Sequence, residues 1–215
     1  IAIECHPGYL NEKHWLHLVE AGFNRCSIGI QDFNEEVLRT ANRKGSLLPP
    51  ARIFELLREH DVSINLDFIY GLPGQTAAGF EETIRQAASL RPDRLVTFSY
   101  AHVPWVNKDM LKLEKAGLPE TEEKSNMYRR AAATLSERGY VPVGLDHFVQ
   151  PDDSLHVALQ NGLLHRNFQG YCTRATTGQV YAFGVTAISQ LAAAYSQNIR
   201  GVQEYIDKAS QGELP

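Results

Sequence analysis

The residues whose types could do chemistry sit where apolar runs end. In "INLDFIYGLPGQT" (64–76), Asp67 lies between Leu66 and Phe68, where a plain core strand would place valine or isoleucine. A charge there must be paired, solvated in a cavity or bound to a ligand. Similar residues close three other runs: Glu4 follows "IAI", Gln31 follows "SIGI", and Tyr100-Ala101-His102 follows "RLVTFS". One such residue alone reads as solvated or structural. Four in register converge on one mouth, where acids and amides suit a ligand with ribose hydroxyls or an amino group. Asp67 is therefore expected to face a polar cavity.

A second cluster spans "GLDHFVQPDD…LLHRNFQGY", residues 144 to 171. Asp146-His147 could be an acid/base pair, but neighbours on a strand point to opposite faces, which argues against it. His165, Arg166 and Asn167, with Phe168 and Tyr171 beside them, suit an anionic, flat, aromatic ligand. A loop arginine paired with Asp152 or Asp153 is an equally open reading. His14 and His17 stand three apart on a helix with no third ligand nearby, so a surface helix face is expected and no metal site. "GLPGQT" lacks the spacing and the lysine of a P-loop and reads as a tight turn with backbone freedom at Gly71 and Gly74.

The elements that must position these residues follow a strand–helix rhythm. Strands are expected at "IAIE", 25–30, 64–70 and 94–101. Between them lie helices capped by Asn11, Asn34 and Thr76, and one that begins at the prolines of "PPARIFELLREH". This alternation predicts βαβ units and a parallel sheet. Four strands are too few for a closed eight-stranded barrel, so the fold class is α/β, part of a barrel or an open sheet. In such folds ligands bind at the C-terminal ends of the strands. After Pro104 the spacing changes: helices are expected over 107–117 and 121–139, strands over 140–145 and 179–185, and helices over 187–197 and 200–210.

The 215-residue chain has 43% hydrophobic and 21% charged residues and a net charge of -4, the profile of a soluble globular protein with no general pull toward nucleic acid. No apolar run approaches the roughly 20 residues of a membrane span. Cys5, Cys26 and Cys172 are odd in number and widely spaced, which suggests reduced thiols in a cytoplasmic protein.

Taken together, "AGFNRCSIGIQDFNEEV", "NLDFIYGLPGQT", "RPDRLVTFSYAHVP", "LDHFVQPDD" and "LHRNFQGY" follow in an order that resembles the oxygen-independent coproporphyrinogen III oxidases. These are radical S-adenosylmethionine (SAM) enzymes of haem synthesis, and the likeness runs over essentially the whole chain. It implies a partial radical SAM (β/α) barrel. Residues 1–104 would form the C-terminal part of that barrel and 105–215 an α+β extension packed on it. The chemistry implied is that of a [4Fe–4S] cluster, which cleaves SAM to a 5′-deoxyadenosyl radical. That radical takes a hydrogen from the β-carbon of a propionate on the tetrapyrrole coproporphyrinogen III. Loss of carbon dioxide and one electron, twice per substrate, leaves the vinyl groups of protoporphyrinogen IX.

By the same resemblance, Glu4 matches a contact to the cluster-bound SAM and Ile188 a contact to its adenine side. Gln31, Arg43, Asp67 and Ala101 match a second SAM site. His165, Arg166, Asn167 and Tyr171 match part of the enclosure of substrate and cofactor, with Arg166 the expected anionic anchor. The family's C-x-x-x-C-x-x-C cluster motif is absent from the sequence. The expectation is thus a central stretch of a monomeric enzyme, inactive alone, with no catalytic residue or cluster ligand of its own. Rival readings are a haem-trafficking relative, which would carry "HN-x-x-YW" in place of "HRNFQGY", a haem-degrading radical SAM methyltransferase, and a non-catalytic tetrapyrrole- or SAM-binding protein.

Overall fold

A computed structural model describes residues 1–167, 170–173 and 179–215. The chain divides into two compact units, Ile1–Val157 and Ala158–Pro215.

The first unit is built on β1 (Ala2–Cys5), β2 (Arg25–Gln31), β3 (Ser63–Tyr70) and β4 (Arg94–Ser99), which pair in parallel in that order. Two short strands, β5 (Val141–Val143) and β6 (His147–Val149), extend the sheet. β6 runs antiparallel to β4, and β5 antiparallel to β6. The helices α1 (Glu12–Glu20), α2 (Glu35–Thr40), α3 (Pro50–Arg58) and α4 (Ala77–Ser89) connect the parallel strands. α5 (Met110–Lys115) and α6 (Thr121–Glu137) follow β4, and α7 (Ser154–Gln160) spans the division between the units.

Local chemistry sets these boundaries. Asn11 accepts from the His14 amide and His14 Nδ1 accepts from the Asn11 amide, a capping box at the start of α1. Asn34 and Thr76 cap α2 and α4 through their side-chain oxygens. His14 and His17 are exposed on α1, as a surface face requires. At the exit of β3, Gly71 (φ +90°) and Gly74 (φ +81°) take left-handed conformations that other residues adopt at a cost. Gly71 also leaves room for Lys124, whose Cε would lie 2.6 Å from an added Cβ.

Side chains alternate along β2 and β3. Ile28, Leu66, Phe68, Leu95 and Phe148 point to one side and join Trp15, Ile53, Leu57, Phe80, Ile84 and Met127 in a fully buried core under the helices. Each large side chain buried there contributes about 2–3 kcal/mol. The residues between them (Ser27, Gly29, Asn65, Asp67) point to the opposite face.

Among its described residues, the second unit holds two antiparallel strand pairs and a helix: β7 (Leu164–Arg166) with β8 (Tyr171–Thr173), β9 (Ile188–Gln190) with β10 (Tyr195–Gln197), and α8 (Val202–Ser210). Two expectations fail here. Residues 179–185 form no strand, only a single bridge from Val180 to Gln190, because Gly184 (φ +102°) turns the chain away. The helix expected over 187–197 is instead the β9–β10 hairpin. Asn198 ties its ends, donating from its amide nitrogen to the Ala187 carbonyl and from its side chain to the Gly184 carbonyl. Its alanines favour helix, but propensity of this size is overridden by such cross-chain bonds.

Candidate functional site

The polar face of the first unit's sheet is organised around Asp67. Register places Gly29, Asp67, Val96 and His147 directly beside one another across β2, β3, β4 and β6, with Ser27 and Asn65 one pleat below. The Ser27 hydroxyl donates to Asp67 Oδ2 at 2.6 Å. One Asn65 amide donates both to Asp67 Oδ1 at 2.8 Å and to Ser27 Oγ at 2.7 Å. The three side chains close a ring that holds both carboxylate oxygens.

Arg43 reaches this face from the loop after α2. Its Nη2 donates to the Gly29 carbonyl at 2.7 Å. A β-bulge between Gly29 and Gln31, with Gln31 at φ +69°, re-aims the Gln31 side chain over Gly29. A Cβ at Gly29 would stand 2.7 Å from Arg43 Nη2 and 2.8 Å from Gln31 Nε2, so only glycine leaves both side chains in place. Burial raises the Asp67 carboxyl above the ordinary carboxylate range. Hydrogen bonds from Ser27 and Asn65, and the nearby charges of His147 and Arg43, oppose that rise. Burial also lowers the Arg43 guanidinium, against the pull of Asp67.

Three buried polar atoms around Asp67 have no hydrogen-bond partner: Gln31 Oε1, Arg43 Nε and Asn65 Oδ1. Buried polar atoms are rarely left so, and three at one place need an explanation. Two acceptors and a donor beside a carboxylate match a ligand that carries hydroxyl or ammonium donors together with an acceptor, as the ribosyl and amino-acid parts of SAM do.

The structure thus brings Gln31, Arg43 and Asp67 together. Glu4 lies on the same face of the sheet, paired in register with Ser27, and is exposed. Ala101 is exposed just past the end of β4, where the Tyr100 amide donates to the Tyr70 carbonyl and Lys124 Nζ donates to the Tyr100 carbonyl. Ile188, His165, Arg166, Asn167 and Tyr171 belong to the second unit. There Ile188 is on β9, and Arg166 stands over the Tyr171 ring at 5.4 Å across the β7–β8 pair. Phe168 lies outside the described residues. Asp153 is taken by Arg94, whose Nε donates to it at 2.7 Å.

One expectation about this region is overturned. Asp146 and His147 do pair, with Oδ1 and Nδ1 2.7 Å apart, because β6 begins only at His147. Asp146 stands in the turn before the strand and is not bound by its alternation. Sequence reasoning also passed over Ser27, Gly29 and Asn65. Their signal was the period of two: each lies two or four residues from a polar neighbour on the same face of its strand.

Cys5 and Cys26 are buried and face the helices, with Cys5 raised by its contact with Cys26 and by burial. Among the described residues, no group of three or more His, Cys, Asp or Glu side chains is placed to hold a metal ion. No helix among the described residues is long and apolar enough to cross a membrane.

The radical SAM superfamily model matches residues 1–87. The sheet, its connecting helices and the polar face at the strand ends have the architecture of part of a radical SAM barrel. An oxygen-independent coproporphyrinogen III oxidase from Synechocystis sp. is 40% identical, over 100% of this chain and 46% of that protein. One from Escherichia coli is also 40% identical, over 98% and 46%. The solved structure of coproporphyrinogen III oxidase from Escherichia coli, described as a radical SAM enzyme, matches with a TM-score of 0.86 at 40% identity, over 100% of this chain and 50% of that one. The archaeal Methanocaldococcus infernus Elp3 shares the fold alone, with a TM-score of 0.52 at 19% identity over 60% of this chain and 32% of that one. Over its whole length the chain is similar to oxygen-independent coproporphyrinogen III oxidases. It spans about half the length of the curated relatives it matches, 46% of the two named above.

Proposed function

We propose that the protein bearing this chain is an oxygen-independent coproporphyrinogen III oxidase, which converts two propionates of the substrate to vinyl groups. The observation that carries this reading is the Asp67 site, with its unpartnered Gln31, Arg43 and Asn65 atoms, in a chain that matches such oxidases from end to end. SAM, with a reduced [4Fe–4S] cluster, supplies the radical chemistry when bound. The residues of this chain bind and orient. Asp67 accepts from donor groups of one SAM molecule, and Arg43 and Gln31 offer it a donor and an acceptor over Gly29. Glu4 serves the cluster-bound SAM, and Ala101 lines the second site. His165 and Arg166 of β7, Asn167 just after it, and Tyr171 of β8 meet the substrate, with Arg166 on a propionate, since a planar guanidinium pairs with a carboxylate through two bonds.

The test is an anaerobic assay of the full-length protein with SAM and coproporphyrinogen III. The expected product is protoporphyrinogen IX, and its absence from a cluster-loaded protein overturns the reading. Arg166→Lys should raise the KM for coproporphyrinogen more than Arg43→Lys does. An unchanged KM removes Arg166 from substrate binding.

A further inference from the structure

The ring of Ser27, Asn65 and Asp67 uses its hydrogens completely. The single Ser27 proton goes to Asp67 Oδ2, and the Asn65 amide serves both Asp67 Oδ1 and Ser27 Oγ. Each Asp67 oxygen therefore has one donor from the protein and keeps acceptor capacity for another. Asn65 Oδ1, turned the other way by the same contacts, is buried with no partner. Ser27 and Asn65 come from adjacent strands and stand in register, so the ring is set by the sheet itself. None of its members is needed for the helix-facing core, which lies on the opposite side of β2 and β3.

We propose that Ser27 and Asn65 are positioning residues that lock Asp67 as a two-oxygen acceptor, and that the locked carboxylate selects a ligand presenting two neighbouring donors, the vicinal hydroxyls of a ribose. This rests on the reading of Asp67 as a SAM-binding residue and adds the device that makes it selective. A free carboxylate on a single pair of torsions would rotate to meet either one donor or two. A carboxylate pinned at both oxygens meets two in a fixed plane, and a site built for two donors rejects the analogue that lacks one. The ring has a second consequence. Bonds donated to the charged form favour it, and those from Ser27 and Asn65 hold the Asp67 carboxyl down against burial. The other groups facing Asp67 are Arg43 from the loop after α2 and His147 from β6, with Glu4 further along the same face.

The experiment measures equilibrium binding of SAM, and of its 2′-deoxyribosyl analogue, to the full-length protein between pH 4.5 and 8. Wild-type protein should favour SAM over the deoxy analogue by about tenfold or more and lose SAM on the acid side as Asp67 protonates. Ser27→Ala and Asn65→Leu should each weaken SAM about tenfold at pH 7, move the acid midpoint to higher pH and shrink the preference over the deoxy analogue. Ser27→Thr, which keeps the hydroxyl, should restore all three. Unchanged affinity, midpoint and preference in Ser27→Ala overturn the positioning role. Should Asn65→Leu not fold, Ser27→Ala decides alone, since it removes one hydroxyl from a half-buried position. Asp67→Asn separates the two levels: wild-type SAM binding in that variant overturns the SAM site itself. Loss there with wild-type behaviour in Ser27→Ala overturns only the positioning inference.

Discussion

Two carboxylates, Asp32 and Asp67, stand at the C-terminal side of neighbouring strands and have opposite surroundings. Asp32 is 2% exposed and takes bonds from the Asn34 amide (2.9 Å), Gln75 Nε2 (2.6 Å) and Thr83 Oγ1 (2.7 Å). Gln75 in turn donates to the Ile69 carbonyl and accepts from the Leu72 amide, so Asp32 fastens the "GLPGQT" turn to α4. Its shell is complete. Asp67 is more open, and around it three buried polar atoms are left without partners. A satisfied buried charge serves the fold, whereas a charge in an unsatisfied shell is held for something that arrives later.

The largest expected effect belongs to the closed network. Asp32→Ala strands the Gln75, Thr83 and Asn34 donors and should cost about 3 kcal/mol or more of stability. Urea unfolding measures it, and a loss below about 1 kcal/mol would erase the contrast. Asp67→Ala should do the reverse, leaving the urea midpoint nearly unchanged while SAM affinity of the full-length protein falls by about 1–3 kcal/mol. Equal losses of stability at the two positions would mean that both carboxylates are structural.

Gly29→Ala sharpens the same comparison with one methyl group. The new Cβ would press on Arg43 Nη2 and Gln31 Nε2, both at the ends of flexible side chains, so the fold should survive. SAM affinity should drop by about 1 kcal/mol as the two side chains are displaced. A calorimetric titration showing no change would place Arg43 and Gln31 outside the site.

The smallest effect concerns pH. Burial raises Asp67 above its ordinary value of 3.8, so between that value and the raised one the folded state binds more protons than the unfolded state. Stability from this group is present below the unfolded value and declines as pH rises through the window. Asp67→Asn, which cannot ionise, should therefore gain on the wild type in the ligand-free protein as pH rises, with no gain at the acid end. Melting curves at several pH values read the difference. A constant difference at all pH values would mean that Asp67 ionises in the fold as freely as in the unfolded chain.

Much of the first unit was legible in the sequence because its signals are local. Asn11, Asn34 and Thr76 cap the helices they precede, and the apolar alternation of 25–30 and 64–70 names the buried face of the sheet. The residues after Pro104 were less legible. In "AISQLAAAYSQ" the helix-favouring alanines lie in a hairpin closed by Asn198, eleven residues beyond Ala187, and no short window contains that contact. Asp146-His147 misled for a related reason: strand alternation was applied one residue before the strand begins.

At the site the division is similar. Sequence alone determined that Asp67, Gln31 and Glu4 close apolar runs, since a polar residue at a strand end shows in the order of residues. Only the tertiary structure decided which neighbours complete the site. The register of β2 on β3 sets Ser27 beside Asn65, and the bulge at Gly29 turns Gln31 back over the strand. The Arg43 guanidinium arrives across a gap left by a missing side chain. Ser27 lies 40 residues from Asp67 and is brought to it by strand pairing, while Arg43, 14 residues from Gly29, is delivered by the loop after α2.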